Sequence, residues 1–174
     1  KFNGEMRFYK TKFEDFKSDT TYDLILESES ACYIKINKGF SAANRVLRDG
    51  GYLLAADYFV FNSNNQSPHL KSSHRMDQYL NAAKSSGFKL LKEYDQTENT
   101  MPTLDAALNF INRFVFPTAE YLQYSIQRKN PKTYQLLRSL LEKRISKKMD
   151  QLDLMSSDEF KKYRKYMIYL FQKV

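Results

Sequence analysis

The chain has 174 residues, of which 42% are hydrophobic and 28% charged, and its 13 Phe and 13 Tyr supply core material for one ordinary globular domain rather than a disordered chain. Its longest apolar run, residues 52–61, is interrupted by Asp57 and falls far short of the roughly 20 apolar residues a membrane-spanning helix needs. Cys32 is the only cysteine, so an internal disulfide is excluded, and nothing at the start resembles a secretory leader; a reducing cytoplasm is the expected compartment.

The formal charge of +8 is compatible with nucleic acid, with anionic lipid or with a solvated surface, and by itself favours the last. The first residue is Lys1 rather than Met, and a strand-like run begins almost at once, so the sequence is expected to be a fragment of a longer chain.

In chain order, residues 6–9 read as a short strand leading into the acidic-aromatic turn Lys12-Phe13-Glu14-Asp15-Phe16. Tyr22-Asp23-Leu24-Ile25-Leu26 is a compact apolar run between Ser, Thr and Asp on one side and Glu27-Ser28-Glu29-Ser30 on the other, the pattern of a buried parallel strand. Phe40, Ala43 and Leu47 recur at helical spacing, and Asp49-Gly50-Gly51 is expected to end that helix before a second buried strand over residues 52–59. Two such strands around one amphipathic helix form a βαβ unit with parallel strands.

Met76, Tyr79, Leu80 and Ala83 mark another helix, Gly87 its C-terminal cap, and residues 88–94 a further strand. The rhythm then changes. Leu104, Ala107, Leu108 and Ile111 predict a helix, and Tyr134, Leu137 and Leu141 another after Asn130-Pro131. Ser156 and Glu159 form a capping box for a short helix to about Lys165, followed by a terminal strand rich in aromatics, residues 166–174.

Four segments together resemble the small-molecule branch of the class I S-adenosylmethionine-dependent methyltransferases, which includes sterol, tocopherol and sugar O-methyltransferase relatives. Tyr22-Asp23-Leu24-Ile25-Leu26-Glu27-Ser28-Glu29-Ser30 resembles the family's fourth strand and the loop after it. Arg45-Val46-Leu47-Arg48-Asp49-Gly50-Gly51-Tyr52-Leu53-Leu54 resembles its next helix and fifth strand, with Asp49 where Pro is usual. Residues 8–16 are similar to the third strand and the loop beside the adenine, and Ser85-Ser86-Gly87-Phe88 to the entry of strand six. The match covers roughly the first 95 residues; the first strand and its glycine-rich cofactor loop have no counterpart among Gly4, Gly39, Gly50, Gly51 and Gly87.

The resemblance implies an α/β fold: a partial Rossmann-like sheet, strands three to seven, with an inserted helical acceptor-binding or lid region. The corresponding division is a core half over residues 1–95, helices over 96–165 and a terminal core strand over 166–174. It implies S-adenosylmethionine as cofactor, contacted by Phe13 through its backbone N–H, Glu14, Glu27 and Ser28; Lys12 stands where the family often has an Asp. Ligands of open α/β sheets bind beyond the carboxyl ends of the strands, which places Glu27, Ser28 and Glu29 in the favoured position.

Methyl transfer is an in-line displacement that positioning and water exclusion can largely catalyse, so no triad is required. For a hydroxyl acceptor, Glu29 and His74 are the available bases, although His74 reads more readily as a loop or helix-cap residue, and His69 is the weaker histidine. Tyr33, Tyr58 and Phe59 follow strand ends, where aromatic rings can wall an apolar acceptor pocket or simply pack in the core. Cys32 reads as a small packed side chain, and no His, Cys and carboxylate cluster has metal-ligand spacing.

The expected function is methyl transfer to an oxygen or carbon of a small, lipophilic or polyketide-like acceptor, with activity requiring the missing N-terminal part. The alternative is a non-catalytic methyltransferase-like module that binds nucleic acid or an anionic membrane surface through the basic clusters Lys143-Arg144, Lys147-Lys148, Lys161-Lys162 and Arg164-Lys165. A small molecule is the favoured partner and nucleic acid is not; peripheral membrane contact and a homodimer stay open.

Overall fold

The computed structural model describes residues 6–61, 73–132, 134–135, 138 and 157–174. The chain divides into two compact units, Lys1–Asp95 with Lys165–Val174, and Gln96–Arg164. His69, Leu137, Leu141, Lys143-Arg144, Lys147-Lys148 and Ser156 lie outside the described residues.

The first unit is built on four strands, β1 (Tyr22–Ser28), β2 (Leu47–Val60), β3 (Phe88–Asp95) and β4 (Arg164–Lys173), in the order β1-β2-β4-β3. β1 and β2 run parallel, with Leu24 opposite Tyr52, Leu26 opposite Leu54 and Ser28 opposite Ala56. The connection between them is helix α1 (Ile36–Val46), which gives the expected βαβ unit. β3 and β4 pair antiparallel from Phe88–Lys173 to Asp95–Met167. Helix α2 (Met76–Ser85) precedes β3, and Gly87, at φ 82°, closes it as expected. A Cβ at Gly87 would sit 3.2 Å from the Asn44 side chain in a left-handed backbone. Gly87→Ala is therefore expected to cost about 1–2 kcal/mol, measurable as a shift in urea midpoint at unchanged slope.

One face of this sheet carries the core. Odd-numbered residues of β2 and β4 point to the same side, so Leu53, Ala55, Phe59, Met167, Tyr169 and Phe171 are buried together. Phe40 of α1 and Tyr79 of α2 cap them, their rings 4.8 Å apart and 5.8 Å and 4.9 Å from Phe171 and Phe59 respectively. Aromatic packing at these spacings adds about 0.5–1.5 kcal/mol per pair beyond area burial.

Three expectations are corrected. Residues 6–10 form no strand but an exposed irregular segment; with no buried face to hold them, they do not pair with the free edge of β1, whose one strand partner among the described residues is β2. Asp49-Gly50-Gly51 does not cap α1, which ends at Val46; these residues lie inside β2, where the register jumps from Tyr22–Leu47 to Leu24–Tyr52. Gly50 at φ 72° provides the backbone freedom that such an irregularity needs. β1 itself is not buried on both sides: Leu24 and Leu26 are 53% and 64% exposed, because only the face of alternate residues Ile25 and Glu27 meets the helices.

The second unit is helical. α3 (Thr97–Phe110) passes through a π turn, Ile111–Val115, into α4 (Phe116–Lys129), and α5 (Ser157–Tyr163) is tied to α3 by Lys161–Glu98 at 2.7 Å. No helix among the described residues is long and apolar enough to cross a membrane.

Candidate functional site

At the carboxyl ends of β1 and β2 the chain changes direction within two residues. Glu29, the residue after β1, has φ 49°, the one described non-glycine residue in the left-handed region, and its N–H donates to Ala56 O at 2.8 Å. A β-branched or bulky side chain would pay more for this conformation, and strain of this kind concentrates at functional sites. The Tyr166 hydroxyl of β4 donates to the Glu29 carboxylate at 3.4 Å. A single 3-10 turn, Ala31–Tyr33, then leads to α1.

Side chains from three separate elements hold this loop by its backbone. Asp57 of β2, fully buried, accepts from Cys32 N–H at 2.9 Å and from Tyr58 N–H at 2.8 Å. His74 Nε2 lies 2.9 Å from Ala31 O and 2.8 Å from Ile34 O. The Glu14 carboxylate accepts from Lys35 N–H at 3.2 Å, and backbone N–H groups of Glu14 and Lys35 hold its carboxyl below the ordinary value.

Glu27 is turned away from this edge into the core. It is 7% exposed and accepts from the Tyr79 hydroxyl at 3.2 Å. Burial pushes its carboxyl up to about 7, with the Asp57 charge adding to the rise and the Tyr79 hydrogen bond opposing it. Burial beside Glu27 likewise drives the Tyr79 phenol well above its ordinary value. The space between Glu27, Ile34, Phe40 and Tyr79 is only about 10 Å³, the lower limit for one water molecule.

The nine residues singled out from sequence thus separate. Ser28 and Glu29 are exposed at the strand ends, Tyr33 is 81% exposed on the turn, and Tyr58 is half-buried beside Asp57. Phe13 packs half-buried against the core, Glu14 is engaged with the start of α1, and Glu27 lies inside. Phe59, expected in an acceptor wall, is a core residue with its ring 4.9 Å from Tyr79 and 5.2 Å from Tyr169, because it shares the buried parity of β2. His74, expected as a base, is occupied at Nε2 by two carbonyls.

Asp57 and Tyr79 were not recognised as site residues from sequence. Their signals were present: a single carboxylate inside an apolar strand must find donors, and a Tyr on a helix's apolar stripe must place its hydroxyl. Cys32 is half-buried, and burial with the nearby Asp57 raises its thiol above the ordinary value, which argues against a nucleophile. No group of three or more metal-ligating side chains occurs among the described residues. The four described residues of the basic clusters are engaged within their own units: Lys161 with Glu98, Lys162 with Glu159, Lys165 with Asp95, and Arg164 over the Phe160 ring.

No family model matches the chain, and no curated protein matches it by sequence. Solved structures do match. A protein from Galdieria sulphuraria described as a candidate sarcosine dimethylglycine methyltransferase superposes with a TM-score of 0.63 at 14% identity, over 94% of this chain and 57% of its own. Geranyl diphosphate C-methyltransferase from Streptomyces coelicolor A3(2), solved with Mg2+, geranyl diphosphate and S-adenosyl-L-homocysteine, gives 0.62 at 14% identity, over 94% and 52%. The fold is that of the Rossmann-like methyltransferases. The [4+2]-cyclase SpnF also shares it, at 0.52 and 16% identity over 94% and 54%, so the methyltransferase fold alone does not dictate the reaction. The chain spans about half the length of these methyltransferase-fold structures.

Proposed function

We propose that the chain is part of an enzyme of the reducing cytoplasm that transfers a methyl group from S-adenosylmethionine to an oxygen or carbon of a small, lipophilic or polyketide-like acceptor. The observation that carries this reading is Glu29: an exposed carboxylate on a left-handed backbone, immediately beyond the carboxyl end of one parallel strand and bonded to the next. That is where ligands of open α/β sheets bind.

The residues present fit one side of a cofactor site. Ser28 and Glu29 offer exposed polar groups at the strand ends, and the loop behind them is fixed by Asp57, His74 and Glu14. Bound S-adenosylmethionine supplies an activated methyl on a positively charged sulfur. Glu29 takes the proton from the acceptor atom, and Tyr33 and Tyr58 supply apolar walls that orient the acceptor and exclude water. Glu27 serves the core beneath the site, not the ligand, since its carboxyl faces Tyr79.

The paired Lys161, Lys162 and Lys165 give the nucleic-acid or membrane alternative no support among the described cluster residues. The reading is tested by following labelled methyl transfer to a panel of hydroxylated and prenylated acceptors with the full-length protein. Glu29→Gln is expected to lower turnover by about 10²-fold or more, well beyond any change in S-adenosylhomocysteine affinity. Unchanged turnover would remove Glu29 from the chemistry.

A further inference from the structure

The loop from Glu29 to Lys35 has no side-chain-to-side-chain scaffold of its own; it is closed by two backbone bonds, Tyr33 N–H to Ser30 O at 3.1 Å and Ile34 N–H to Ala31 O at 3.0 Å. What fixes it to the sheet comes from outside. Asp57 reaches it from β2, and His74 reaches it from the segment that leads into α2. His74 is itself anchored twice: Val60 N–H donates to its carbonyl at 2.9 Å, and its ring lies 6.2 Å from the Tyr79 ring at an interplanar angle of 15°.

Two carbonyl oxygens at hydrogen-bond distance require a proton on Nε2, since a carbonyl only accepts. That nitrogen therefore has no lone pair with which to take a proton from an acceptor. It is a donor, shared between Ala31 and Ile34, the first and the last-plus-one residues of the 3-10 turn. Asp57 performs the complementary task, accepting the N–H of Cys32 in the middle of the same turn. One side chain binds two carbonyls and the other an N–H, so the turn is held at three points along four residues.

We propose that His74 and Asp57 are positioning residues, a two-armed clamp that fixes residues 31–34 and thereby presents Glu29 and Tyr33 to the ligands. This inference rests on the methyl-transfer reading for its purpose, but the clamp itself can be read without any ligand. It gives His74 a role that neither a catalytic base nor a simple helix cap would have.

The test uses three substitutions in the full-length protein. His74→Gln places an amide N–H close to where Nε2–H stands; His74→Asn places it nearer the backbone; His74→Ala removes it. Amide hydrogen exchange over residues 29–35 and the affinity for S-adenosylhomocysteine are measured under conditions where melting curves show every variant folded. His74→Ala and His74→Asn are expected to speed exchange in the loop and weaken S-adenosylhomocysteine by about tenfold, and His74→Gln to restore most of both.

Exchange and affinity unchanged in His74→Ala would overturn the clamp, and so would a His74→Gln variant as impaired as His74→Ala, which would point to imidazole chemistry. Failure of the unsubstituted protein to bind S-adenosylhomocysteine would instead overturn the methyl-transfer reading. The two failures are distinguishable, because loop exchange is read without ligand.

Discussion

Asp57→Ala is expected to cost about 2–4 kcal/mol of folding free energy, measured by urea denaturation of the full-length protein at pH 7. Asp57 is fully buried and accepts two backbone N–H groups, from Cys32 and from Tyr58. Alanine leaves both donors without their acceptor, and each orphaned buried donor costs about 1–3 kcal/mol. Against this, removal of the buried charge relieves its repulsion of Glu27, which is why the expected total lies below the sum of two worst cases. The same substitution should let the Glu27 carboxyl titrate at lower pH, since Asp57 is one of the causes of its rise. A loss under about 1 kcal/mol would mean that the carboxylate holds the turn no better than solvent does.

The second large effect is a pH dependence set by Glu27. Its carboxyl titrates at about 7 in the folded protein against an ordinary value of 4.5. Folding therefore favours the neutral form. The associated stability is fully present below about pH 4.5 and is lost progressively as pH rises through 7, roughly 3 kcal/mol in all. Glu27→Gln keeps an oxygen for the Tyr79 hydroxyl and cannot ionise, so this part of the profile should disappear. The variant should match the unsubstituted protein near pH 4.5 and exceed it in stability by up to roughly 3 kcal/mol above pH 7. Parallel profiles from pH 5 to 8 would show that Glu27 is solvated in the native state.

These two carboxylates also show where reading the sequence stopped. The βαβ unit, α2, its Gly87 cap, β3 and the terminal strand were legible because each has its own period or punctuation within about ten residues. The Tyr22-Asp23 and Arg45-to-Leu54 segments added order and spacing, which pointed to the fold that the structural neighbours show.

Parity was harder. Glu27 and Glu29 look alike in the sequence Glu27-Ser28-Glu29, yet one is the last inward residue of β1 and the other the first residue of the turn. Only knowing which face α1 and α2 cover separates a core acid from a site acid. The same parity sends Phe59 inside and leaves Tyr58 half-buried.

Long-range partners were illegible for another reason. Nothing local in His74 announces carbonyls 40 and 43 residues away, and Gly50-Gly51 reads equally well as a helix stop or as a strand irregularity. Residues 6–9 have strand-forming side chains, but they are exposed, and strand pairing without a buried face is marginal even beside the free edge of β1.

The most direct test of the central claim is titration calorimetry of S-adenosylhomocysteine and S-adenosylmethionine into the full-length protein that contains these 174 residues. Saturable binding of both at one site, weakened by His74→Ala and recovered in His74→Gln, is the predicted result. No binding of either ligand by the folded, unsubstituted protein would contradict a methyltransferase and leave only its fold.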